Sequence, residues 1–133
     1  MLYPMYAMVL LVLIVALLMG KARFGAVKRK EVQVKYFLYN RGYDIPEKLA
    51  KLEQNFSNLF EVPVLFYALC ITMLALNIHS PVIEALAWAY VGLRYLHSYI
   101  HITYNHVLHR FTAFSISTFL LVGMWSWVVF QLV

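Results

Sequence analysis

Charged residues are scarce in this chain. Asp, Glu, Lys and Arg make up 13% of its 133 residues, about half the share found in a soluble globular domain. The single cysteine, Cys70, rules out an intrachain disulfide, and its place inside an apolar run reads as packing. No internal repeat, low-complexity tract, glycine-rich phosphate loop or nucleophile motif occurs. These absences exclude a soluble enzyme domain, a disulfide scaffold and a phosphate-loop nucleotide site. What is present is apolar: 63% of residues are hydrophobic and the mean hydropathy is +0.72. Four long apolar stretches hold most of the chain, which therefore reads as an all-α integral membrane protein with no separate soluble domain.

The net charge of +5 raises the question of nucleic acid, and position answers it. Nine Lys and Arg lie between Lys21 and Lys51, directly after the first apolar stretch. That is the pattern of a cytoplasmic loop, and no nucleic-acid partner is expected. The spans fall at about 3–20, 54–78, 81–104 and 111–133. No basic region precedes the first, so it reads as a retained span with its N-terminus on the non-cytoplasmic side. Four spans return the C-terminus to that same side and leave residues 104–110 beside the basic loop. Asp44 and Pro46 mark a helix start before the second span, which projects two or three turns beyond the bilayer. Ser80 and Pro81 mark the N-cap and first position of the third. Within the loop, "VQVKYFLY" (32–39) interleaves basic and aromatic residues, either as an interfacial segment at anionic headgroups or as a lid over a cavity.

Two polar stripes interrupt the apolar helices. On the second span Lys51, Gln54, Asn58 and Glu61 recur at helical spacing, and on the third Arg94, His97, Ser98, His101 and Asn105 do so. Folding the two spans about the short turn at 78–80 matches Glu61 in depth with His97 and Asn58 with His101. Gln54 then meets Tyr104 and Asn105, and Lys51 meets Leu108. Arg94 lies deepest, and an unpaired arginine in hydrocarbon costs at least ~3 kcal/mol. Glu61 is the nearest acid by this count, so an ion pair between the two is expected, either as a clamp between helices or as part of a site. His97 and His101 at i, i+4 also suit metal ligation with Glu61, but no cysteine assists and no metal is expected. His79, His106 and His109 fall in turns and read as solvent-exposed. Ala113 and Ser117 suggest a close helix approach in the fourth span.

"NLFEVPVLF" (58–66) resembles the Asn-x-x-Glu followed by proline of the membrane-associated proteins in eicosanoid and glutathione metabolism, and "RYLHSYIHITYN" (94–105) is similar to that family's third helix. The resemblance covers nearly the whole chain, in its bacterial-type branch. It implies a homotrimer of four-transmembrane-helix bundles, with sites between subunits open to the cytoplasmic side of a bacterial inner membrane. It also implies glutathione as the ligand, with Asn58 and Glu61 holding the tripeptide and His97 and His101 completing its site. Arg110, with Arg94 as second choice, would supply the cation that stabilises a thiolate. Gln54 and Ser57 stand where a glutathione site would favour arginine, and Lys51 and Gln54 are added as ligand-binding positions. A basic residue ending the first helix corresponds to Lys21 or Arg23. The implied function is a glutathione- or thiol-dependent transferase or peroxidase acting on lipophilic small molecules from the bilayer. The alternative is a non-catalytic membrane scaffold or lipid-binding trimer whose polar residues serve assembly.

Overall fold

The computed structural model describes residues 1–42 and 44–132, and those residues form helices joined by short connections. In order they are α1 (Leu2–Lys28), a 3-10 turn (Val34–Leu38), α2 (Glu47–Asn58), α3 (Pro63–Ala75), α4 (Pro81–Ile102) and α5 (Val107–Leu132). Three helical segments are long and apolar enough to cross a membrane: α1, the combined segment Glu47–Ala75, and α5. The fourth, α4, falls short of that apolarity. It carries its polar residues inward: Arg94, His97, Ser98 and His101 are all buried, against α1, α2 and α5.

The helix ends follow from local chemistry. Ser80 accepts a hydrogen bond on Oγ from the Ile83 N–H at 3.4 Å, and Pro81 opens α4 where a missing N–H costs nothing. Lys30 ends α1 with a left-handed φ of 59°. Its N–H reaches Val27 O and the Glu31 N–H reaches Ala26 O, both at 2.9 Å, closing a Schellman motif. Asn77 (φ 52°) ends α3 in the same way, its neighbour Ile78 donating to Met73 O at 2.9 Å.

The second span is broken where an uninterrupted helix is expected. Pro63 has no N–H, and its ring clashes with the carbonyl four residues back. The chain therefore turns at Leu59–Val62, and Pro63 becomes the first residue of α3. This reorders the expected stripe. Gln54 and Glu61 are exposed, Lys51 and Asn58 are half-buried, and the fully buried polar residue of α2 is Asn55.

One apolar core joins the helices. Met8, Leu11 and Val15 of α1 meet Phe66, Leu69 and Met73 of α3, and Leu121, Met124 and Val128 of α5 close it. The spacing of three or four on each helix puts one stripe inward and leaves the rest for lipid. Phe66 stacks on Tyr90 with ring centroids 4.4 Å apart. Two side-chain bonds to helix carbonyls fix the registers: Tyr95 donates to Ala7 O at 2.8 Å, and Trp125 donates to Leu65 O at 3.1 Å. Ala113 and Ser117 are buried, and Cys70 is a buried thiol.

A smaller cluster holds the basic loop. Val32 and Tyr36 pack on Ala26 and Leu49. Beside it, Glu53 accepts from Arg23 Nε at 3.0 Å, Arg23 Nη2 at 2.8 Å and Tyr36 Oη at 2.6 Å. The Arg23 guanidinium also lies 5.2 Å from the Phe37 ring centroid. The 3-10 turn is thus strapped to α1 and α2 at once.

Candidate functional site

The break before Pro63 exposes backbone as well as turning side chains. Asn58 sits at the end of α2, and its carbonyl accepts Arg94 Nη2 at 3.1 Å. Arg94 is fully buried and forms no ion pair with Glu61, so the expected pairing is corrected: a backbone carbonyl and an aromatic face take the carboxylate's place. The face belongs to Phe114, whose ring centroid lies 5.6 Å from the guanidinium carbon. Among the described residues, Arg94 Nε and Nη1 have no hydrogen-bond partner.

Arg110, near the start of α5, is held by the turn before it. Asn105 has a left-handed φ of 50°, a conformation that asparagine tolerates better than most residues. Its Oδ1 accepts Arg110 Nη1 at 2.8 Å, and the same nitrogen donates to His101 Nε2 at 2.9 Å. Arginine only donates, so His101 must accept on Nε2 and carry its proton on Nδ1. The Arg110 carbonyl lies 3.0 Å from His97 Nδ1. A carbonyl only accepts, so His97 is protonated on Nδ1 and keeps a lone pair on Nε2. That Nε2 is buried and has no partner among the described residues.

Between these elements opens a cleft of about 250 Å³ lined by Asn58, Glu61, His97, Val107, Arg110, Phe111 and Phe114. It gathers a carboxylate, an amide, an imidazole and a guanidinium against an apolar wall. Of the eight expected site residues, Asn58, Glu61, His97 and Arg110 line it. Arg94 and His101 are buried behind it, each touching a residue of the cleft. Lys51 and Gln54 are elsewhere. Lys51 pairs with Glu47 at 2.6 Å and donates to Thr103 O at 3.2 Å, clamping α2 to the end of α4. Gln54 faces a separate groove with Arg23, Glu53 and Phe60. Both lie on α2 with Asn58, about two turns and one turn before it, and face other partners.

Behind the cleft, Ser98 donates to Asn55 Oδ1 at 3.2 Å, and both are buried. Asn55 Nδ2 and Tyr90 Oη are further buried polar atoms without partners among the described residues. Asn55 and Phe114 are absent from the expected site. Phe114 had a signal, since it follows Arg110 by four residues on one helix face. Asn55 had none, because its burial depends on how the break sets the rotation of α2. Among the described residues, no group of three His, Cys, Asp or Glu comes together to hold a metal.

The MAPEG family model matches residues 1–130. The chain belongs to the MAPEG family. Membership and three long apolar helices together mark an integral membrane protein. No curated protein and no solved structure gives a match. The MAPEG assignment covers every residue of the cleft, so Asn58, Glu61, His97 and Arg110 all belong to the matched part of the chain.

Proposed function

We propose that this MAPEG protein is a glutathione- or thiol-dependent transferase or peroxidase acting on lipophilic substrates from the bilayer. Family membership supports the class, since members include glutathione transferases and peroxidases. The observation that carries the reading is Arg110, fixed by His101 and Asn105 at the wall of a cleft that also holds Asn58 and Glu61. A free thiol has a pKa near 8.5, and a guanidinium beside it favours the thiolate. Glu61 would receive an ammonium group and Asn58 a peptide group. The thiolate then attacks an electrophilic carbon, forming the S–C bond as the leaving group departs with the bond's electron pair. Phe111 and Phe114 offer the apolar side of the same cleft to a lipid-derived substrate.

A tripeptide needs more room than one chain provides. Ligand pockets run to about 300–1,000 Å³, whereas this cleft holds about 250 Å³. A neighbouring subunit of a homotrimer would complete it, with the basic loop 21–51 and the turn 104–110 on the cytoplasmic side of the inner membrane. Isothermal titration of the purified protein with glutathione tests the reading. Saturable heat that Glu61→Gln abolishes, with the oligomer intact, supports it; no heat in the wild type overturns it. The second reading, a scaffold or lipid-binding trimer, is favoured by Lys51 and Gln54 lying outside the cleft, which leaves Arg110 its only cation. In that case Glu61→Gln lowers thermal stability and dissociates the oligomer.

A further inference from the structure

A different groove lies between the end of α1, the start of α2 and the end of α4. It encloses about 360 Å³ and shares no residue with the cleft above. Its walls are partly apolar, with Leu18, Leu49, Leu52 and Ile102, and partly cationic, with Lys21, Arg29 and Lys48 and no acid among the described lining residues. Lys21 and Lys48 are exposed, and among the described residues neither has a carboxylate partner. Arg29 is folded back over Gly25, where an added Cβ would come within 3.1 Å of its Nη1, and it is held there by Glu31 at 2.7 Å and 2.9 Å. The cationic wall is therefore partly preset.

Depth decides what fits. Twenty-seven residues make α1 about 40 Å long, against a hydrocarbon core of about 30 Å. Lys21 is the first charge on α1, so the helix leaves the hydrocarbon near it and its last two turns stand among headgroups. From Leu18 to Arg29 the groove follows α1 for about 17 Å, from hydrocarbon to headgroup level. A soluble anion would use the cations and leave the apolar walls uncovered. A neutral lipid would do the reverse. We infer that this groove binds one anionic phospholipid, its phosphate among Lys21, Arg29 and Lys48 and the upper part of an acyl chain against Leu18, Leu52 and Ile102. This site shares no lining residue with the thiol cleft, and only Lys21, one of the two residues matched to the family's basic first-helix position, connects it with that reading.

The test uses the full chain, delipidated in neutral detergent and offered phosphatidylglycerol or phosphatidylcholine in mixed micelles. Bound lipid is counted by native mass spectrometry. Phosphatidylglycerol is expected to remain bound at concentrations where phosphatidylcholine is lost. The double variant Lys21→Gln/Lys48→Gln should weaken phosphatidylglycerol binding on the order of 30-fold, from two cations at the surface. Both lysines are exposed and unpaired, so this variant tests charge without disturbing the core. Ala22→Leu, which narrows the groove from α1, should weaken both lipids. Equal affinity for the two lipids, or undiminished binding by the lysine variant, would overturn the inference. So would displacement of the lipid by inorganic phosphate, which would reduce the groove to an anion site.

Discussion

Replacing Glu53 by Gln keeps its volume and removes its charge, which makes it a sharp probe of the strap on the basic loop. The carboxylate accepts three hydrogen bonds, two from Arg23 and one from Tyr36. A bond to a charged group contributes about 1.5–3 kcal/mol and a neutral one about 0.5–1.5, so neutralisation costs roughly 1 kcal/mol per bond. The Arg23 and Glu53 side chains are 32% and 15% exposed, and water offsets part of that loss. The expected destabilisation is ~2 kcal/mol, or roughly 6–10 °C in Tm for a chain of this size. Alkaline pH gives an independent check. Burial first, and the bond to Glu53 second, push the Tyr36 phenol up from 10.0 to about 12. A raised folded-state pKa stabilises the fold fully below the ordinary value, and that stability drains as pH rises through the folded one. Wild-type Tm should therefore fall between pH about 10 and about 12 more steeply than that of Glu53→Gln, and the gap between them should narrow. Thermal unfolding by circular dichroism in detergent measures both. An unchanged Tm at neutral pH, or a gap that widens over the alkaline window, would refute the account of the strap.

Two further outcomes follow from the polar interior. Ser98→Ala leaves the buried Asn55 Oδ1 without its donor and should cost about 1–3 kcal/mol, whereas adding Asn55→Leu should recover much of it; thermal unfolding of the single and double variants distinguishes the two. Arg110→Ala should lower the rate of thiol conjugation to a lipophilic aryl halide on the order of 100-fold, the cost typical of losing one charge-stabilising donor, and a rate unchanged from wild type would remove Arg110 from the chemistry.

Much of the architecture was legible because α1, α4 and α5 are continuous helices. On α4 the spacing of Arg94, His97, Ser98 and His101 puts them on one face, and that face is buried. The depth match of Glu61 with His97 has a counterpart in the cleft, where both lie with Asn58 and Arg110. What failed was the assumption of a single straight helix from residue 54 to 78. Pro63 occupies a first helical position as comfortably as a kink, and the sequence alone does not choose between them. The chain turns at 59–62 instead, Asn55 enters the core, and Glu61 lines the cleft without reaching Arg94. Lys51 and Gln54 lie about two turns and one turn up α2 from Asn58, beside other residues. The tautomers of His97 and His101 were likewise invisible, since each depends on a partner at Arg110.

The polar face of α4 has a consequence for how the chain reaches the membrane at all. An insertion machinery that samples helices one at a time charges about 2.5–3.5 kcal/mol for an arginine at mid-span, and α4 adds two histidines to that burden. Its partition into lipid as a lone segment is therefore weak, whereas the segment Glu47–Ala75 and α5 are long and apolar enough to cross by themselves. The five residues between α3 and α4 are too few to let one wait far from the other. Insertion of α4 is thus a cooperative event, in which the Asn58 carbonyl and the Phe114 ring act as an intramolecular chaperone for Arg94.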